Sequence, residues 1–153
     1  MPDTPKPLST QAATVLAYDF GTRHIGMAVG QTLTHSARPL AVLAAKDGQP
    51  DWAEVLKHIT EWRPGLLVVG LPLNIDGTES PFCQRARKFA RRLQGRSGCK
   101  VIMYDERLST REAKSETKIA QSSRNYRESP VDAMAACLIL QSWLQEPDFA
   151  LSP

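Results

Sequence analysis

Two stretches of the chain, Leu66-Leu-Val-Val69 and Val101-Ile-Met-Tyr104, are apolar throughout and only four residues long. A strand with no polar face must be covered on both sides, and a sheet with helices above and below it meets that condition. Each run follows a segment with helical spacing. Asp51-Trp-Ala-Glu54 has the form of a capping box, with Asp51 as N-cap and Glu54 reaching back. It opens a helix to about Trp62, with Trp52, Val55, Leu56 and Ile59 on one face. Ser80-Pro81 supplies an N-cap and a first-position proline for the next helix, whose apolar stripe is Phe82, Ala86, Phe89 and Leu93.

Ahead of these, residues 14–19 and 25–30 flank a short turn and predict an antiparallel hairpin, which a third run at about 39–44 extends. The loop from Gly70 to Thr78 ends in the turn signal Asp76-Gly77. Beyond the second apolar run, Ser109-Thr-Arg-Glu112 is another capping box, starting a helix to about Ala120. Residues 121–129 are polar, and a final, almost wholly apolar helix runs from about Pro130 to Leu144. Three strands, then helix, strand, helix, strand, helix, helix, predicts an α/β fold with a mixed sheet.

At 153 residues the chain is long enough for one domain with a real core. The expected organisation is a disordered leader over 1–12, a folded domain over 13–146 and a flexible tail over 147–153. No apolar stretch approaches the roughly 20 residues needed to span a bilayer, so no membrane partner is expected. The first residues have no signal-peptide character. Cys83, Cys99 and Cys137 form no CxxC pair and have no histidine at ligand spacing, which disfavours structural zinc and fits reduced thiols in the cytoplasm.

Three acids stand where an apolar element begins or ends. Asp19 closes the first strand, Glu106 follows the run 101–104 after Asp105, and Asp132 heads the apolar final helix. Each has an ordinary structural explanation: Asp19 as a turn former before Gly21, Asp132 as the third residue of a capping box on Ser129, Glu106 as a surface partner of Arg107 or Arg111. Their conjunction points elsewhere. Strand ends in a helix-covered sheet form the crevice where sites are built. Carboxylates there are costly to bury unless something positive offsets them. A hard divalent cation prefers oxygen ligands, and one or two such ions are the chemistry of phosphodiester cleavage.

Net charge is +3, yet Arg85, Arg87, Lys88, Arg91, Arg92, Arg96 and Lys100 fall between residues 80 and 100 with no acid among them. The rest of the chain is therefore net negative. Arg85, Lys88, Arg92 and Arg96 recur at helical spacing, expected opposite the Phe82/Phe89 stripe, and an acid-free face of this kind suits phosphate contact. Arg124, Tyr126 and Arg127 form a second candidate surface, with Tyr126 able to stack on an unpaired base.

Four segments carry a family likeness. Asp19-Phe-Gly-Thr-Arg-His-Ile-Gly26, Gly70-Leu-Pro-Leu-Asn-Ile-Asp-Gly-Thr78, Asp105-Glu-Arg-Leu-Ser-Thr-Arg-Glu-Ala113 and Val131-Asp-Ala-Met-Ala-Ala136 resemble the YqgF family of bacterial pre-16S ribosomal RNA nucleases, related to Holliday junction resolvases. The resemblance implies an RNase H-like fold: a five-stranded mixed sheet, first three strands antiparallel, flanked by helices. It implies Asp19, Glu106 and Asp132 as catalytic ligands of Mg²⁺ or Mn²⁺, with Asp19 bridging two ions. Asp105 is not expected among them, because strand alternation points it away from Glu106. His24 and Pro130 depart from the pattern, standing where many relatives carry a basic residue and a lysine.

The function expected is metal-dependent hydrolysis of phosphodiester bonds, at the 5′ end of pre-16S rRNA during ribosome biogenesis. Partners are then RNA, or alternatively a DNA junction, together with ribosome precursors, for a monomer or weak homodimer. A non-catalytic RNA-binding assembly factor is a further alternative. An ATPase or sugar-kinase reading of Asp19-Phe-Gly-Thr22 needs a second lobe, for which 153 residues leave no room.

Overall fold

The computed structural model describes residues 13–109 and 131–153. Strands β1 (Thr14–Asp19), β2 (His24–Gln31) and β3 (Ser36–Lys46) form an antiparallel meander. A two-residue strand β4 (Gln49–Pro50) folds back on β3 through the left-handed pair Asp47-Gly48. Helix α1 (Trp52–Trp62) follows, with the Asp51 carboxylate accepting from the Ala53 N–H at 3.0 Å. Then come β5 (Leu66–Leu71), α2 (Pro81–Ser97) and β6 (Val101–Asp105), β5 and β6 extending the sheet in parallel with β1. A 3-10 turn (Glu106–Ser109), helix α3 (Val131–Gln145), a second 3-10 turn (Pro147–Phe149) and strand β7 (Ala150–Leu151) complete the described chain.

The strand order is β4-β3-β2-β1-β5-β6-β7, which puts β1 at the centre. The α/β class and the antiparallel first three strands are as expected. The sheet has seven strands rather than five, because two-residue strands β4 and β7 add one edge each. Residues 147–153, expected as a flexible tail, instead include β7, which pairs antiparallel with β6, and Ser152, whose carbonyl accepts from Arg87 at 2.6 Å. The leader over 1–12 and the helix expected from Ser109 to Ala120 lie outside the described residues, apart from Ser109 itself, which ends the 3-10 turn.

Strand alternation sorts the core into two layers. Leu16, Tyr18, Leu67, Val69 and Met103 face α1 and α2, meeting Val55, Ile59, Ala86, Phe89 and Leu93. Val15, Ala17, Leu66, Val68 and Tyr104 face α3, meeting Ala136, Cys137, Ile139, Leu140 and Trp143. β5 is buried at all six positions, as its uninterrupted apolar run requires. The Tyr104 hydroxyl, pointed at the carbonyls of Ser142 and Glu146 (3.2 and 3.0 Å), ties the far end of α3 to β6. Among the described residues no helix is long and apolar enough to cross a membrane.

Candidate active site

Asp19 ends the central strand on the α3 side, in line with Val15 and Ala17. On the antiparallel side its register partner is Gly26. On the parallel side the last pair is Tyr18 with Val69, so one step further Asp19 comes level with Gly70. Both neighbours therefore lack a Cβ, and both spaces are used. A Cβ on Gly26 would overlap the Asp132 carbonyl, so the first turn of α3 lies directly on β2. A Cβ on Gly70 would stand 2.9 Å from Glu106 Cγ and 2.5 Å from Ile139 Cδ1. The two glycines let residues from α3 and from the end of β6 close in on either side of Asp19.

The electrostatics follow from that convergence. Burial, and then the nearby Asp132 carboxylate, raises Asp19 from the ordinary aspartate range to about 7. Burial, then Asp19, then Asp105, raises Glu106 to about 8. Both shifts combine desolvation with like-charge repulsion, each of which disfavours the anion. No hydrogen bond from the Asp19 side chain shapes the following turn among the described residues; that turn is held by backbone bonds, Gly48 N–H to Thr22 O and Ala45 N–H to Arg23 O. The turn-former explanation of Asp19 is thus unsupported. Ser129, the partner in the capping-box explanation of Asp132, lies outside the described residues.

Asp105 belongs to the other face, as alternation demands. It is 7 % exposed, accepts from the Arg107 N–H, and grips the Arg107 guanidinium through both oxygens at 2.7–3.1 Å. Arg107, a candidate surface partner for Glu106 from the sequence, is thereby committed to Asp105, and it also donates to Ile75 O at 3.1 Å. His24, noted as a departure from the family pattern, opens β2 with Nδ1 4.0 Å from Asp132 Oδ2. What sequence reading missed is the glycine pair. Its signal was a glycine inside one strand and another near the end of an apolar run, where glycine marks close approach.

The donor set, all carboxylate oxygen, fits Mg²⁺ or Mn²⁺, and such ions typically take one or two protein carboxylates and complete their shell with water and substrate phosphate. Among the described residues no three His, Cys, Asp or Glu side chains are grouped closely enough to hold an ion as they stand.

The basic helix lies on the opposite side of the sheet from the three acids. Its cationic stripe does not oppose Phe82 and Phe89 as expected but borders them, because Arg85 and Arg92 each follow a phenylalanine by three residues, and residues three or four apart are neighbours on a helix. Arg85, Lys88 and Arg92 line a cleft of about 200 Å³ with Phe20, Phe89 and the Asp47–Gln49 turn. Arg85 donates to the Asp47 carboxylate and carbonyl, both at 2.8 Å. Arg96 lies over the Trp52 ring, 4.7 Å from its centroid. Arg87, outside the stripe, is paired bidentately with Glu79. Phe20, adjacent to Asp19, points into this cleft, so consecutive residues of β1 and its turn address the acids on one face and the cations on the other. Arg124, Tyr126 and Arg127 lie outside the described residues.

Several known proteins are similar to this chain. A protein of Edwardsiella ictaluri bearing the name "Putative pre-16S rRNA nuclease" is 54% identical over 132 residues, 86% of this chain and 94% of its own. One of the same name from Azotobacter vinelandii is 55% identical over 133 residues, 86% of this chain and 93% of its own. The fold resembles that of Thermus thermophilus RuvC in complex with a Holliday junction substrate, with a TM-score of 0.61 and 18% identity, covering 90% of this chain and 98% of that one. The family model described as RuvX, Holliday junction resolvase, matches residues 13–146, and the chain belongs to that family, the YqgF family of the resemblance above.

Proposed function

We propose that the chain is a divalent-metal-dependent nuclease that hydrolyses a phosphodiester bond in structured RNA, the 5′ region of precursor 16S rRNA, in the cytoplasm. The observation that carries this is the convergence of Asp19, Glu106 and Asp132 around two glycines, with two of the acids pushed toward neutrality by burial and mutual repulsion. Asp19, central in the sheet, would share one or two Mg²⁺ or Mn²⁺ ions with Glu106 on one side and Asp132 on the other. When bound, such ions supply an activated water and a stabilised leaving oxygen.

The chain's own residues do the rest. Repulsion among the carboxylates is relieved by the cation, so the site is built to gain stability on loading. Water attack on phosphorus forms one P–O bond as the leaving P–O bond breaks, with no covalent enzyme intermediate. Arg85, Lys88, Arg92 and Arg96 hold phosphates of the same strand on the far face, and a strand crossing the Asp19-Phe20 edge reaches both. Such contacts set position without reading sequence. Arg124, Tyr126 and Arg127 supply a second nucleic-acid surface.

RNA is favoured because relatives more than half identical carry the rRNA nuclease name. A DNA junction is the second reading, supported by the family description. Incubating the protein with Mn²⁺ and either precursor rRNA or a four-way junction, with Asp19→Asn as control, separates them. Cleavage of the RNA by the parent and not by the variant is expected. Cleavage of the junction alone moves the substrate to DNA, and cleavage by the variant equal to the parent's refutes the catalytic acids.

A further inference from the structure

Ile75 is 97 % exposed, the most exposed large apolar side chain among the described residues. It occupies the tip of a turn that other groups hold in place. Gly77 N–H donates to Asn74 O at 2.8 Å with Gly77 in the left-handed region, and Asn74 N–H donates to Thr78 O at 2.9 Å. The Asp76 carboxylate accepts from both the N–H and hydroxyl of Thr78, and Arg107 donates to the carbonyl of Ile75 itself. Turn tips ordinarily carry Gly, Pro, Asn, Asp or Ser. A β-branched apolar residue there gains nothing from the fold, and its side chain touches no core.

Its position is specific. The loop follows Leu71, the end of β5 and the neighbour of Gly70, against which the Glu106 side chain packs; it is tethered through Arg107, the residue after Glu106, itself held by Asp105. A rigid apolar knob thus stands on the loop that leaves β5 at the edge of the sheet where the parallel strands β1 and β6 deliver Asp19 and Glu106. Apolar side chains presented this way insert between nucleobases and unstack a step, widening the backbone where it is bound.

We infer that Ile75 is a wedge that packs against a nucleobase beside the scissile phosphate, so the site takes strands that can be unstacked there: a single-stranded segment or a helix end. This rests on the nuclease reading above. The chemistry that selects such a partner is an exposed base face, available in unpaired RNA and withheld by a continuous duplex.

The test uses Ile75→Ser and Ile75→Phe in the full chain. The readouts are fluorescence of 2-aminopurine placed along a hairpin with a single-stranded 5′ extension, Mn²⁺-dependent cleavage of that RNA, and hydrolysis of bis(p-nitrophenyl) phosphate. The parent is expected to brighten one position, reporting an unstacked base. Ile75→Ser is expected to lose that signal and to cleave the RNA about tenfold more slowly, while Ile75→Phe keeps both. All three proteins should hydrolyse the small diester equally, since it has no base to unstack. An unchanged 2-aminopurine signal and unchanged RNA cleavage in Ile75→Ser overturn the inference, as does a parent that brightens no position. If no protein hydrolyses either substrate while the fluorescence difference persists, the nuclease reading fails and the wedge stands.

Discussion

Gly26 and Asp132, 106 positions apart in the chain, meet so closely that the Asp132 carbonyl fills the place a side chain on Gly26 would need. The contact is backbone against backbone, so neither partner has a rotamer with which to yield. It fixes the start of α3 on β2, and with it the distance from the Asp132 carboxylate to Asp19 on the adjoining strand.

Gly26→Ala should therefore be the more damaging of the two glycine substitutions. Overpacking into a rigid neighbour costs about 1–3 kcal/mol and sometimes more, and here the helix itself must move. Gly70→Ala presses on the flexible side chains of Glu106 and Ile139 and should cost less stability while still displacing Glu106. Urea denaturation beside Mn²⁺-dependent cleavage checks the ranking. Equal stability losses would show that α3 is less firmly seated than this contact implies.

The cation-free protein should lose stability as pH rises. Asp19 and Glu106 are raised in the fold to about 7 and about 8, so the native state holds protons that the unfolded chain releases at ordinary carboxylate values. Their stabilisation is complete below about pH 4 and is lost progressively as pH climbs through 7 and 8, each group giving up at most about 1.4 kcal/mol for every pH step of one. Thermal melts in chelator at pH 5 and pH 8 should show the fall from these groups, and Mn²⁺ should restore more at pH 8 than at pH 5. A cation effect independent of pH would contradict the assignment of these two acids.

Asp19→Asn removes the repulsion and one ligand together. It should melt higher than the parent at pH 8 without metal, lose its advantage near pH 5, and lose at least about a thousandfold in cleavage while RNA binding stays nearly intact. A gain in stability with a loss of activity marks a site strained for function.

The cationic cleft predicts a salt signature. Lys88→Ala and Arg92→Ala should each weaken RNA binding and reduce the slope of log K against log salt by about 0.7, the value for one phosphate on a single strand. Arg87→Ala is a different case. Its guanidinium is spent on Glu79 and the Ser152 carbonyl, so it should change stability and leave the slope alone. Filter binding over a salt series distinguishes the two behaviours.

Much of this arrangement is legible in the residues. The uninterrupted apolar runs of β5 and β6 required cover on both faces, and strand alternation alone sends Asp105 away from Glu106. The phase of the α2 stripe was also legible, since Arg85 and Arg92 stand three residues after Phe82 and Phe89, and reading it as opposed to the cations was an error of angle. The roles of Gly26 and Gly70 were not legible, because a missing side chain becomes a requirement only when a partner from elsewhere in the chain arrives. Strands β4 and β7 escaped for a related reason: two residues carry no period, and each exists only because a longer neighbour offers an open edge.

β7 is a case where a few residues guard many. Without it the outer rim of β6 would present unsatisfied amide and carbonyl groups, a template for pairing with another molecule. β6 leads directly into Asp105 and Glu106, so fraying there would reach the acids. Versions of the protein cut back before Ala150 are therefore the ones to expect in aggregates, with cleavage fading before the rest of the fold does.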